Sequence, residues 1–195
     1  MVREAELSDL EAILELYLNL HEDSIPEKDE HLKKTWCQII EDPNHHLIVN
    51  VVDGLIVSSC VCVIIPNLTR NIRPYAFIEN VVTHKDYRKK GYAGECLEYT
   101  RQIAEKENCY KMMLLTGSKK QETLRFYEKA GYNSSDKTAF IQWLGMDKHT
   151  HSLGATWVSL ARPAPHPHPH PSPSSWPRPR PHRKVLRRAS WRVNP

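Results

Sequence analysis

Several common frameworks are missing from these 195 residues. The five cysteines (Cys37, Cys60, Cys62, Cys96, Cys109) form no C-x-x-C pair and have no histidine at metal-ligand spacing. An odd count without framework spacing excludes a disulfide scaffold, gives no reason to expect a metal, and points to a reducing, cytoplasmic compartment. The longest apolar run, near Cys60 to Ile65, is far too short to span a bilayer, so no membrane partner is expected. Met1 to Glu6 has no apolar core of the kind a secretory leader needs. Glycine is scarce, at seven residues, and neither G-x-x-x-x-G-K-[ST] nor G-x-G-x-x-G occurs, which excludes the two commonest phosphate loops.

Charge and proline are present but unevenly spread. Residues 1–144 hold 18 Lys and Arg against 22 Asp and Glu, a net of −4; residues 145–195 hold nine against one, a net of +8. Ten of the 14 prolines follow Leu144. Pro-His-Pro-His-Pro-His-Pro and Arg-Pro-Arg-Pro cannot form helix interior or a sheet ladder. The predicted organisation is therefore one globular domain over 1–144 and a Pro/His/Arg-rich tail over 145–195, expected to be disordered. The overall charge of +4 averages two unlike segments. It does not mark a nucleic-acid-binding protein, although Trp176 and Trp191 among the tail arginines could give weak electrostatic binding.

Within 1–144, apolar periodicity gives the elements. Ser8 and Glu11 read as a capping box opening a helix to about Leu20. Leu32, Trp36, Ile39 and Ile40 mark a second helix. Leu47, Val49 and Val51 alternate into a strand, Asp53-Gly54 signals a tight turn, and Leu55 to Ile65 is the return strand. Tyr75 to Val82 is another strand. A helix follows from Ala93 to about Asn108, then a short strand from Met112 to Leu115. Ser118 and Gln121 suggest a second capping box before a helix ending at Gly131, and Ala139 to Leu144 is predicted as a final strand. Trp36, Phe140 and Trp143 are expected in the core. The order implies an α/β domain with one mixed, mostly antiparallel central sheet flanked by helices.

The loop Arg88-Lys89-Lys90-Gly91-Tyr92-Ala93-Gly94 lies between a strand and a helix. The first turn of a helix has unpaired N–H groups and the positive end of the helix dipole. Small residues there let a diphosphate approach without meeting Cβ atoms, and three basic side chains add charge. An exposed basic helix start has the same appearance, so the loop is informative mainly with its neighbours. It resembles the Q/R-x-x-G-x-G/A acetyl-CoA signature of the GNAT superfamily of N-acetyltransferases. It follows Phe77-Ile78-Glu79-Asn80-Val81-Val82-Thr83, as that signature requires, and Arg125 to Tyr132 looks like the F/L-Y-x-K-x-G-F/Y hallmark further on. The resemblance covers residues 1–144 and implies a small, bacterial-type member with splayed central strands. Phe77 to Val82 and Cys109-Tyr110-Lys111 are also similar to segments of the glucosamine-6-phosphate N-acetyltransferases.

The resemblance implies acetyl-CoA as co-substrate, bound by Arg88, Lys89, Lys90, Gly91, Tyr92, Ala93 and Gly94. Backbone N–H groups of Val81, Val82 and Thr83 would face the thioester carbonyl. An attacking amine must lose its ammonium proton, and Glu79 is the candidate base; a salt-bridged strand residue would look the same. Tyr127 is the candidate acid for the departing thiolate, although with Leu124 and Ala130 it also falls on a helical packing face. Direct transfer in a ternary complex to a small primary amine is expected, because no cysteine stands at a nucleophile position. A protein or peptide acceptor and a non-catalytic acyl-CoA-binding module are the alternatives. The loops over 21–31 and 66–74 are expected to select the acceptor. The family also makes a homodimer possible.

Overall fold

The structure, a computed structural model, describes residues 1–20 and 23–144. The chain divides into two units, Met1–Gln142 and Trp143–Pro195. The expected tail, 145–195, lies outside the described residues.

The elements run β1 (Val2–Glu4), a 3-10 turn at Leu7–Asp9, α1 (Leu10–Tyr17), α2 (Glu30–Glu41), β2 (His45–Val52) and β3 (Leu55–Ile65). A single helical turn, α3 (Thr69–Ile72), leads to β4 (Tyr75–Thr83), a 3-10 turn at Lys85–Tyr87, α4 (Tyr92–Lys106), β5 (Met112–Leu114) and α5 (Gln121–Lys129). The sheet order is β1-β2-β3-β4-β5. Every pairing is antiparallel except β4 with β5, which is parallel. Asp53 and Gly54 join β2 to β3 at φ of 51° and 80°, the positive values that a two-residue hairpin turn needs.

Helices cover both faces of the sheet, and the strand sequences reflect it. On β2, Leu47 and Val49 join Ile13 of α1, Trp36 of α2 and Val61 in one cluster. The alternate residue Ile48 joins Cys60, Cys62, Ile64, Ala76 and Ile78 with Cys96, Leu97 and Ala104 of α4 in the other. Each fully buried aliphatic chain contributes about 1.5–3 kcal/mol relative to exposure, so these two clusters dominate the hydrophobic stabilisation. Trp36 also donates its indole N–H to the Leu7 carbonyl at 3.0 Å, which ties α2 to the turn before α1.

Two local expectations are corrected. The turn before α1 is closed by Asp9 and not by Ser8: the Asp9 carboxylate accepts the Glu6 N–H at 2.7 Å and holds Arg3 through two bonds of 2.6 and 2.9 Å. A carboxylate accepting three N–H bonds outcompetes a hydroxyl for this position. Arg3 and the Glu6 N–H hold the Asp9 carboxyl below the usual carboxylate range. Similarly, α5 starts at Gln121 without a side-chain cap, while Ser118 accepts the Lys120 N–H at 3.3 Å from outside the helix.

The predicted final strand over Ala139 to Leu144 is absent. Phe140 is 93% exposed and Trp143 61% exposed, so of the three residues expected in the core only Trp36 is buried. Phe140, Ile141, Gln142, Trp143 and Leu144 do not alternate, and the outer strand, β5, is three residues long. So short an edge offers too few ladder bonds to offset the ordering of another segment.

Candidate active site

β4 changes character halfway along. Val61 of β3 faces Glu79 and Ser59 faces Val82, so Asn80 and Val81 together stand opposite Cys60. This is a β-bulge, and Asn80 absorbs the extra residue by adopting φ of 51°, a conformation Asn tolerates better than most side chains. On the other side of β4, the parallel pairing with β5 runs Ala76 to Met112, Phe77 to Met113 and Ile78 to Leu114, and stops there. Among the described residues, nothing on the β5 side pairs with β4 from Glu79 to Thr83. The bulge and the parting of the two strands therefore coincide at Glu79.

The end of β4 is firmly held. Buried Ser58 donates to the Val82 carbonyl at 2.7 Å and shares a 2.9 Å hydrogen bond with the Thr83 hydroxyl. The His84 N–H reaches the Val57 carbonyl at 2.9 Å. These bonds fix where the chain enters the basic loop.

In that loop Lys89 and Gly91 have φ of 64° and 93°, and Gly91 sits at the N-cap of α4 with no side chain capping the first turn. A Cβ at Gly91 or Gly94 would project into open space, with no atom within 4 Å. The helix start thus presents free backbone N–H groups across an unfilled surface, the arrangement an anionic diphosphate needs. The loop bases are already positioned. Arg88 donates to the Thr83 and Asn19 carbonyls, both at 3.3 Å, and Lys90 lies 4.9 Å above the Tyr87 ring. Lys89 pairs with Glu122 of α5 at 3.3 Å, an exposed contact that a phosphate could displace at small cost. A cavity of about 500 Å³ borders Gly91 and Gly94 but runs along α4 to Glu95, Glu98 and Tyr99. Its carboxylates disfavour a diphosphate there, so the open face of the glycines fits one better than the cavity does.

The charge of Glu79 bears on the phenol of Tyr127. The Glu79 side chain is exposed to solvent, and the modest desolvation it does undergo raises its carboxyl above its usual range, with the Asn80 backbone N–H opposing the shift. Burial likewise raises the Tyr127 phenol, reinforced by the nearby Cys60 thiol and by the charge of Glu79. Tyr127 is also a packing residue. Its ring lies 5.0 Å from Phe126 and 6.2 Å, edge-on, from Tyr132, and with Val81 it abuts the cluster around Cys60 and Ile78.

The structure places Glu79 and Val81 to Thr83 along β4, which leads into Arg88 to Gly94, while Tyr127 of α5 packs with Val81 against the same core cluster and feels the charge of Glu79. Sequence reasoning missed Asn19, Ser58 and the special role of Asn80. Asn19 accepts the Lys85 N–H on its side chain at 3.1 Å and the Arg88 guanidinium on its carbonyl, across a separation of more than sixty residues that local periodicity does not register. Asn80 alone had a readable signal, being an Asn within a β-rich run.

The chain is similar to known proteins in both sequence and fold. The model of the acetyltransferase (GNAT) family matches residues 10–132, more than half of the chain. A glucosamine 6-phosphate N-acetyltransferase of Trypanosoma brucei brucei is 33% identical over 84 residues, covering 43% of this chain and 55% of that protein. The chain therefore matches only about half the length of that relative. A solved structure from Agrobacterium tumefaciens str. C58, assigned as an acetyltransferase, superposes with a TM-score of 0.68 at 34% identity, over 73% of this chain and 99% of that one. The glucosamine-6-phosphate N-acetyltransferase structure from Arabidopsis thaliana shares the fold, with a TM-score of 0.65 at 24% identity over 75% of this chain and 98% of its own. With the parted strands, the bulge and the uncapped loop–helix junction in place, this chain belongs to the acetyltransferase (GNAT) family.

Proposed function

We propose that this chain transfers an acetyl group from acetyl-CoA directly to a primary amine of a small molecule. The observation that carries the reading is the coincidence at Glu79: a partly desolvated carboxylate stands where β4 bulges and parts from β5, on the strand that runs into the uncapped start of α4. Small-molecule acceptance is supported by the 33% identity to an amino-sugar-phosphate acetyltransferase. A cytoplasmic setting is supported by five free cysteines.

In this reading the first-turn N–H groups of Tyr92, Ala93 and Gly94, with Arg88, Lys89 and Lys90, hold the diphosphate of acetyl-CoA, and Gly91 and Gly94 keep the approach open. The co-substrate supplies a thioester carbonyl open to amine attack. Within Val81 to Thr83, the backbone N–H groups that point away from β3, toward the side β5 has left, stabilise the charge that develops on its oxygen. An alkylammonium keeps its proton to about pH 10, so the acceptor must be deprotonated. Glu79, with its raised proton affinity, takes that proton directly or through water. Tyr127, protonated at neutral pH, returns a proton to the departing sulfur.

The test is CoA release from acetyl-CoA with polyamines, amino acids, amino sugars, aminoglycosides and peptides as acceptors. Turnover confined to small amines is expected. Turnover on peptides alone would overturn the acceptor class, and tight acetyl-CoA binding without any turnover would leave a binding module.

A further inference from the structure

The loop from Pro66 to Pro74, expected to help select the acceptor, contributes nothing to the buried core, and its surface is unusual. Leu68 is 90% exposed and Ile72 74% exposed. Leu68 precedes, and Ile72 ends, a turn in which Arg70, Asn71 and Ile72 have φ of 57° to 59°. Left-handed backbone is costly for a β-branched residue, and a run of three such residues persists only where other contacts impose it. Asn67 supplies those contacts, donating to the Thr69 and Arg73 carbonyls at 2.9 and 3.1 Å.

Beneath the tip lies a collar of cations on tyrosines. Lys111 sits 5.0 Å from the Tyr75 ring and 5.5 Å from that of Tyr110, and Arg70 is 5.9 Å from the latter. Arg73 is braced against the Asn108 and Cys109 carbonyls at 3.0 and 2.9 Å. None of the three cations forms an ion pair with a carboxylate among the described residues.

We infer that this loop is a peripheral docking element for an anionic lipid surface. Two aliphatic side chains are held outward by a strained turn, tyrosines with polar tips lie behind them, and the cations stand where lipid phosphates would be met. An acidic protein partner would use the charges but has no need of two protruding aliphatic chains. The expectation of no membrane partner rested on the lack of a spanning run, and a peripheral contact requires only a loop tip.

The test is co-sedimentation of the full chain with vesicles of phosphatidylcholine alone, or with about a third phosphatidylserine. The +8 segment after Leu144 is common to every variant, so the difference between parent and variant reads the loop. Arg70→Gln with Lys111→Gln is expected to lower partitioning to the anionic vesicles about tenfold or more. Ile72→Gly removes an apolar anchor while placing glycine at a left-handed position. It is expected to bind less while unfolding at the same temperature as the parent or higher, which separates lost docking from lost folding. Unchanged partitioning in both variants would overturn the inference. So would a loss on removing the charges but none on removing Ile72, which would favour an acidic protein partner.

Discussion

The proton affinities of Glu79 and Tyr127 are both raised, and the two proposed roles use that shift differently. A base must be ionised, so the acid limb of the rate profile should lie above the ordinary carboxylate range, with activity rising as pH climbs through the raised pKa of Glu79. A pH profile of kcat/KM checks this. The linked stability effect has the opposite sign. A carboxyl whose folded pKa exceeds its unfolded value loses folding stability as pH rises between the two. Glu79→Gln, which cannot ionise, should therefore melt higher than the parent above that window and match it below, while losing most of its turnover. Tyr127→Phe keeps the ring packing and removes only the proton. It should lower kcat roughly 10–100-fold, because a thiolate needs limited help to leave, with acetyl-CoA affinity unchanged by calorimetry. Parent-like kcat would remove the acid role. Both residue types were readable from motif and chemistry. That one residue's charge acts on the other was not, because they stand nearly fifty positions apart on different elements.

Among the elements, β4 and the start of α4 are where backbone conformation matters most. Asn80 and Gly91 both need positive φ, and they should respond differently to substitution. Asn80→Gly should fold as well as the parent, whereas Asn80→Val should lose about 1–2 kcal/mol by denaturant unfolding, since a β-branched residue resists the left-handed region. Gly91→Ala should lose about 1 kcal/mol for the same reason and also weaken acetyl-CoA binding, because its Cβ occupies the space now open over the helix start. The hairpin at Asp53-Gly54 and the helical spans were legible because their determinants are local: turn residues, alternation and 3.6-residue periodicity. The Asp9 closure before α1 and the uncapped start of α5 were not, because hydrogen-bond partners a few residues away decided them. The segment over Ala139 to Leu144 forms no strand despite its apolar content, because the β5 edge it would join is only three residues long, a tertiary fact that its own residues do not encode.

For the whole molecule, the contrast between the two parts of the chain leads to a direct trial. A chain ending at Leu144 should keep its rate of CoA release and lose most of its salt-sensitive retention on a polyanion, which the +8 segment would provide. A core substitution such as Ile48→Ala should cost about 2–5 kcal/mol, because that side chain is fully buried against α4 and the central strands. The family, the helical spans and the hairpin were legible in the sequence, since each is written in short-range pattern or in a motif a few residues long; Glu79 and Tyr127 were legible there as candidates. Only the tertiary structure decided that β4 bulges at Asn80 where it parts from β5, that Asn19 and Ser58 hold the loop entrance, and that Tyr127 answers to Glu79. Those facts depend on register between distant strands, and register is settled by packing on both faces of the sheet at once.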